Sequence, residues 1–315
     1  MIIIALRNFI YGRFRMNMVA HIWHTITNSS GPLRHNARSM LDIPCDQFEK
    51  LLSLALDSFI TSTQYIEDHC LYRARIEDST DPHTHQQHLW YPPQPDKIRM
   101  GRFNKAGEAI LYTSNDRITA MIELWHSLGE EEKKQSVISI NLCSIVPKLE
   151  SCTRLDLAHL GLIDNNFSPN PAEQILGNPH MNPTFLSQIA SPDDPEYINR
   201  LNLHEAVDKF LSMICTHNSE GAYQFSNEIW QKLKKIPTIG GLIYPSVAND
   251  LSTKNFAILP SSADGVFRID SVYKYQIPRS ALPADLPCFK ELMDKYHVNT
   301  GEVDQKSGEI KWRRR

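Results

Sequence analysis

Between Met100 and Leu124 the chain reads MGRFNKAGEAILYTSNDRITAMIEL and changes its backbone period twice. A Gly-Arg turn leads to a short strand ending in Tyr112. The following run has helical spacing, with Ile118, Met121, Ile122 and Trp125 forming one apolar stripe. A strand and an amphipathic helix each have an apolar face to bury, so the rest of the chain must provide a core for this stretch.

Further strands are readable from alternation and β-branched content at Cys70–Ile76, Ser136–Val146, Gly240–Ser246, Asn255–Leu259 and Phe267–Ile277. Apolar positions three and four apart predict helices at Leu203–Cys215 and Ala222–Lys234, and one or two more within Asp42–His69. Strands and helices are interspersed without a fixed repeat, which predicts an α+β domain rather than a regular βαβ array. The expected division is an N-terminal helical extension at 1–66, a main domain at 67–280 and a short helix with a basic KWRRR tail at 281–315. The Asn-, Pro- and Asp-rich stretch 156–200 reads as an insertion in the middle domain, and the tail reads as loosely packed.

Composition narrows the partners. A net charge of −3 over 315 residues gives no electrostatic reason to bind nucleic acid or a membrane surface. The opening MIIIAL is too short for a bilayer span and has arginines on the wrong side for an export signal. Six scattered cysteines without a CxxC read as free thiols in a reducing cytosol.

Most catalytic signatures fail when tested. There is no Walker A sequence, no GxGxxG opening a helix, and no GxSxG around a serine; His204-Glu205 lacks a second His at zincin spacing. His83, His85 and His88 have spacing that suits imidazole ligands, but they fall in a polar loop without a second ligand cluster, so a solvated loop is expected and no metal.

Five polar residues remain at the edges of predicted elements: Arg73, Arg102, Tyr112, Glu123 and Ser246. Taken singly, such residues are surface ion pairs, core-rim hydroxyls or turn formers. Glu123 differs, because it interrupts MIELW on a strip with Thr119 and Ala120 beside the apolar stripe. A carboxylate placed there borders a cleft and, if buried, needs a partner.

These residues stand in segments that resemble the RES domain family. The run GRFNKAGEAILYTSNDRITAMIEL is similar to its Gly-Arg-aromatic-Asn turn, its strand ending in Tyr and its helix with Ala and Glu. GLIYPSVANDLSTKNFAIL is similar to its Gly-led strand into Ser followed by an Asn-headed strand, and LYRAR to its leading Arg motif. The resemblance runs from about Cys70 to Ile277. It implies an ADP-ribosyltransferase-like mixed β core with helical insertions, and an NAD-degrading toxin that cleaves the nicotinamide–ribose bond by phosphorolysis or hydrolysis.

On the matching positions, Glu123, Arg73 and Ser246 are the implied catalytic residues, and Arg73, Arg102, Tyr112, Ser246 and Asn255 the implied NAD-binding ones. Arginine suits the diphosphate, Tyr112 suits stacking on nicotinamide, and Glu123 suits the oxocarbenium-like transition state. Ser246 is suited to hold a phosphate or the acceptor. NAD is expected as substrate rather than as a retained cofactor. The expected protein partners are an antitoxin or immunity protein, with a homodimer as a further option, and the expected place of action is the cytoplasm of the producing or of a target cell. The alternatives are a mono-ADP-ribosyltransferase acting on a protein, and an inactive interaction module.

Overall fold

The β-branched run Val137–Pro147 forms the spine of the sheet in the computed structural model, which describes residues 62–64, 70–77, 82–148, 155–159, 220–237, 239–246, 253–282 and 288–314. The chain divides into two compact units, Met1–Thr63 with Ala158–Leu233, and Gln64–Leu157 with Lys234–Arg315. In the first, the expected helix near Ala222–Lys234 is present as Glu220–Leu233, and Ile229, Trp230 and Leu233 along it are buried. The expected helix at Leu203–Cys215 lies outside the described residues. So does most of the 1–66 extension and of the 156–200 insertion. Within those ranges the described pieces, Ser62–Gln64 and Asp156–His159, are extended, so helix does not fill all of Asp42–His69.

The second unit is α+β. Its strands are β1 (Leu71–Ile76), β2 (Leu111–Ser114), β3 (Val137–Pro147), β4 (Ile239–Pro245), β5 (Lys254–Ile258), β6 (Phe267–Pro278), β7 (His297–Val303) and β8 (Ile310–Arg314). They lie in the order β4-β5-β2-β1-β3-β6-β7-β8, and each neighbouring pair is antiparallel. Pairing runs along the whole of β3 with β6, with one register shift between Ser144 and Ile145, and along all of β1 with β3. Between β1 and β2 it reduces to a single pair, Tyr72↔Ser114, so the sheet is open at that seam.

Alternation gives the sheet two apolar faces. On one, Leu71, Leu111, Cys143, Ile145, Phe256 and Ile258 join a single core. On the other, Ile138, Ile140 and Leu142 pack against helix α1 (Arg117–Ser127) through Met121, Ile122 and Trp125. A further helix, Phe289–Tyr296, adds Phe289, Leu292 and Met293 to that layer. Each such side chain contributes about 1.5–3 kcal/mol through burial.

The structure corrects the expectation of a loose C-terminal tail. The helix at Phe289–Tyr296 is followed by a hairpin, and KWRRR lies largely within β8, paired with β7 from Ile310↔Val303 to Arg314↔Asn299. The alternation of Ile310 and Trp312 with charged residues is that of a half-buried strand. Opposite them, Gly301 leaves room: a Cβ there would come to 2.7 Å from Ile310 and 3.0 Å from Trp312. Lys311 and Arg313 pair with Asp304 and Glu302.

The loop with the three histidines is also less solvated than expected. Gln86 N–H donates to Gly308 O, Ile310 N–H donates to Thr84 O, and His85 Nε2 lies 2.9 Å from Ser307 O, so the hairpin holds the loop. His83 is buried, with Nδ1 2.8 Å from Asn141 Nδ2. Among the described residues no group of His, Cys, Asp and Glu is placed to hold a metal ion, and no helix is long and apolar enough to cross a membrane.

Candidate functional site

Helix α1 begins where its sequence says it should. Asp116 caps it, its carboxylate accepting from Thr119 N–H at 2.9 Å and from the Thr119 hydroxyl at 3.1 Å. Thr119 Oγ1 also lies at hydrogen-bond distance, 3.0 Å, from Thr253 Oγ1, which fixes the start of the helix beside the start of β5. One turn on, Glu123 is half-buried beside the end of the sheet.

Strand register brings the partners to it. Tyr244 of β4 pairs with Asn255 of β5, Asn255 with Ser114 of β2, and Ser114 with Tyr72 of β1, so these residues form one row across four strands. Ser246 follows β4 immediately. Its hydroxyl donates to Glu123 Oε1 at 2.7 Å, and Asn255 Nδ2 donates to the same oxygen at 2.5 Å. Asn255 Oδ1 accepts from Ser114 Oγ at 2.6 Å. Ser246, Asn255 and Ser114 are all buried.

One carboxylate oxygen therefore carries both donors. Glu123 Oε2 has no hydrogen-bond partner among the described residues. An ionised carboxylate held by one oxygen with the other unengaged is pre-oriented for a group that arrives from outside. Ser246 has committed its hydroxyl proton to Glu123 and its amide to Thr253 O at 2.9 Å.

The Gly-Arg turn is the second part. Tyr112 Oη accepts from Phe103 N–H at 2.8 Å and donates to Asn104 Oδ1 at 2.9 Å. Asn104 Nδ2 closes the turn by donating to the carbonyls of Arg99 and Lys105, and Gly101 N–H donates to Asn104 O. A Cβ on Gly101 would overlap Asn104 Oδ1 and lie 3.2 Å from the Tyr112 hydroxyl, so glycine is needed there by close approach. Fully buried Phe103 packs edge-on against Tyr244, ring centroids 4.8 Å apart, and ties the turn to β4. Arg102 is half-buried in this turn, between Gly101 and Phe103.

Arg73 occupies the open seam. Its register with Cys143 and its alternation with Leu71 place it on the sheet face opposite Tyr112 and Ser114. Its Nη1 donates across the seam to Tyr112 O at 2.7 Å. Burial first, and then the charge of Arg75, lower its guanidinium to about 10, so it remains protonated at neutral pH. Its Nε is buried without a partner among the described residues, and no hydrogen bond or ion pair joins it to Glu123.

Of the residues expected from sequence, the structure thus brings Glu123, Ser246 and Asn255 into one cluster. Arg102 lies in the Gly-Arg turn that the Tyr112 hydroxyl pins from β2, and Arg73 bridges the seam from the other face. Sequence reasoning missed Ser114, because a serine at the end of a short strand reads as a turn former; its two-residue spacing from Tyr112 was the available signal. No curated protein matches the chain. A family model described as the RES domain matches residues 71–280, an interval that takes in the seam, the turn and every member of the Glu123 cluster. With that match over two-thirds of its length, the chain belongs to the RES domain family.

Proposed function

We propose that this protein is an NAD-degrading enzyme acting as a toxin, and that Glu123 drives cleavage of the nicotinamide–ribose bond. The single observation that carries the reading is the asymmetric anchoring of Glu123: Oε1 held by Ser246 and Asn255, Oε2 unengaged among the described residues. The family's relation to NAD supports it, as does the relation to ADP-ribosyltransferase folds that the sequence resemblance implies.

In this reading NAD binds with a ribose hydroxyl or the adjoining ribose edge toward Glu123 Oε2. As the C–N bond lengthens, its electron pair leaves with nicotinamide, which departs neutral, and positive charge grows on the ribose. A fixed carboxylate stabilises that state more than the bound substrate. The oxygen of phosphate or water then bonds to the ribose carbon, and in the hydrolytic case the water's proton passes to bulk solvent. Arg102, on the turn pinned by Tyr112, is assigned to the diphosphate, for which a planar guanidinium fork is suited. Ser246 and Asn255 orient Glu123 through hydrogen bonds. Arg73 contributes by holding β1 to the Tyr112 strand. A protein that depletes NAD in the cytoplasm requires a neutralising partner, here a separate antitoxin or immunity protein.

The test is to incubate purified protein with NAD, with and without inorganic phosphate, and to identify the products by mass spectrometry. Nicotinamide with ADP-ribose marks hydrolysis, and nicotinamide with phosphorylated ADP-ribose marks phosphorolysis. Intact NAD under both conditions overturns the proposal.

A further inference from the structure

We propose that Ser114 is a positioning residue for this reaction, acting through Asn255 to set the orientation of Glu123; the inference rests on the NAD-cleaving reading above. The polarity of the chain of contacts admits one assignment. Ionised Glu123 only accepts, so Asn255 must turn its amide nitrogen toward Oε1 at 2.5 Å. The amide oxygen of Asn255 then faces Ser114 Oγ at 2.6 Å, and a carbonyl oxygen also only accepts. Ser114 must therefore donate, and the direction of both hydrogen bonds is fixed from the end of β2 to the helix carboxylate.

Besides Glu123 itself, Ser114 is the one side chain that holds the amide this way round among the described residues. Among the described residues Asn255 Oδ1 has one donor and Nδ2 one acceptor, and both side chains of the pair are buried, at 3% exposed for Ser114 and 4% for Asn255. Without the Ser114 hydroxyl the Asn255 oxygen is a buried acceptor with no donor, and rotation of the amide away from Glu123 relieves it. Ser246 alone then anchors Oε1, and the carboxylate gains freedom at the moment the transition state needs it fixed. Ser114 itself touches neither Glu123 nor the reacting atoms.

The experiment compares wild type with Ser114→Ala and Ser114→Thr in NAD kinetics, together with crystal structures of wild type and Ser114→Ala. The expected result for the alanine variant is a fall in kcat of about tenfold with KM within about twofold, since one neutral hydrogen bond is removed. Threonine, which keeps the hydroxyl, restores most of kcat. In the alanine crystal, Asn255 Nδ2 moves beyond about 3.2 Å from Glu123 Oε1. Should Ser114→Ala not fold, Ser114→Cys takes its place, with the same fall expected from a weak S–H donor. Wild-type kcat in the alanine or cysteine variant, or an unmoved Asn255 in its crystal, overturns the assignment. If the wild-type protein leaves NAD intact, the functional reading alone falls, and the crystal comparison still decides the role of Ser114.

Discussion

Glu123 and Ser246 stand 123 positions apart in the chain and 2.7 Å apart in the folded protein, with the serine hydroxyl donating to Glu123 Oε1. The contact joins the helix after β2 to the end of β4. Ser246→Ala removes one of two donors from a fixed carboxylate while leaving Asn255 in place. The expected outcome is a loss in kcat of about tenfold to a hundredfold with KM nearly unchanged, checked by steady-state NAD kinetics. A variant changed in KM alone would instead assign Ser246 to substrate binding.

Gly101→Ala places a methyl group onto Asn104 Oδ1 and against the Tyr112 hydroxyl. The turn must open, so the expected result is a stability loss of about 1–3 kcal/mol, the scale of a broken buried hydrogen-bond network. Because the turn carries Arg102, KM for NAD rises as well. Tyr112→Phe, which removes the hydroxyl's hydrogen bonds to Phe103 and Asn104, should raise KM in the same direction. Chemical denaturation and NAD titration of both variants check this; an unaltered KM in each separates the turn from substrate binding.

Glu77 supplies an acid-sensitive component of stability. Burial by itself raises its carboxyl, but the Lys274 ammonium, the His83 N–H at 2.9 Å and Asn141 outweigh burial, and the net direction is down from 4.5. A carboxyl depressed in the folded state stabilises above its unfolded value, and that contribution disappears as pH falls through the folded value. Wild type should lose melting temperature below about pH 4.5 more steeply than Glu77→Gln. The variant should start lower at pH 7, because Lys274 is left without its partner. Melting curves from pH 3 to about 7 decide it; parallel slopes would remove Glu77 from the acid response.

Trp312→Ala tests the C-terminal hairpin. Trp312 packs against the core, over Gly301, with Lys274 Nζ 5.8 Å from its ring centroid. The expected cost is about 1–3 kcal/mol of stability, read by denaturant titration, with kcat within about twofold because the residue lies outside the Glu123 cluster. A variant as stable as wild type would mean that the strand is peripheral.

Strands with strong alternation, such as Phe267–Pro278, were legible from sequence, as was the helix from its stripe around Met121. Glu123 was legible as a candidate, since a carboxylate interrupting MIELW needs a polar partner if it is buried. Its partner Ser246 stood out at the edge of a predicted strand, whereas Asn255 became legible only through the family resemblance. Ser114 was not legible, because its role depends on cross-strand register with Asn255, a long-range relation that local pattern does not carry. The pairing of Glu77 with Lys274 escaped for the same reason. β8 was missed because three arginines masked the alternation of Ile310 and Trp312. Arg73 was expected in catalysis and NAD binding from the family resemblance; the open seam that holds it is visible only once β1 and β2 are placed side by side.

The most direct measurement is nicotinamide release from NAD by wild type and by Glu123→Gln, compared at matched folding. Glutamine keeps an acceptor oxygen for Ser246 and Asn255 but loses the charge. The account predicts measurable release by wild type and a decrease of about 10² to 10³ in the variant, with little change in melting temperature. Equal release by the two proteins, or none from wild type, would contradict it.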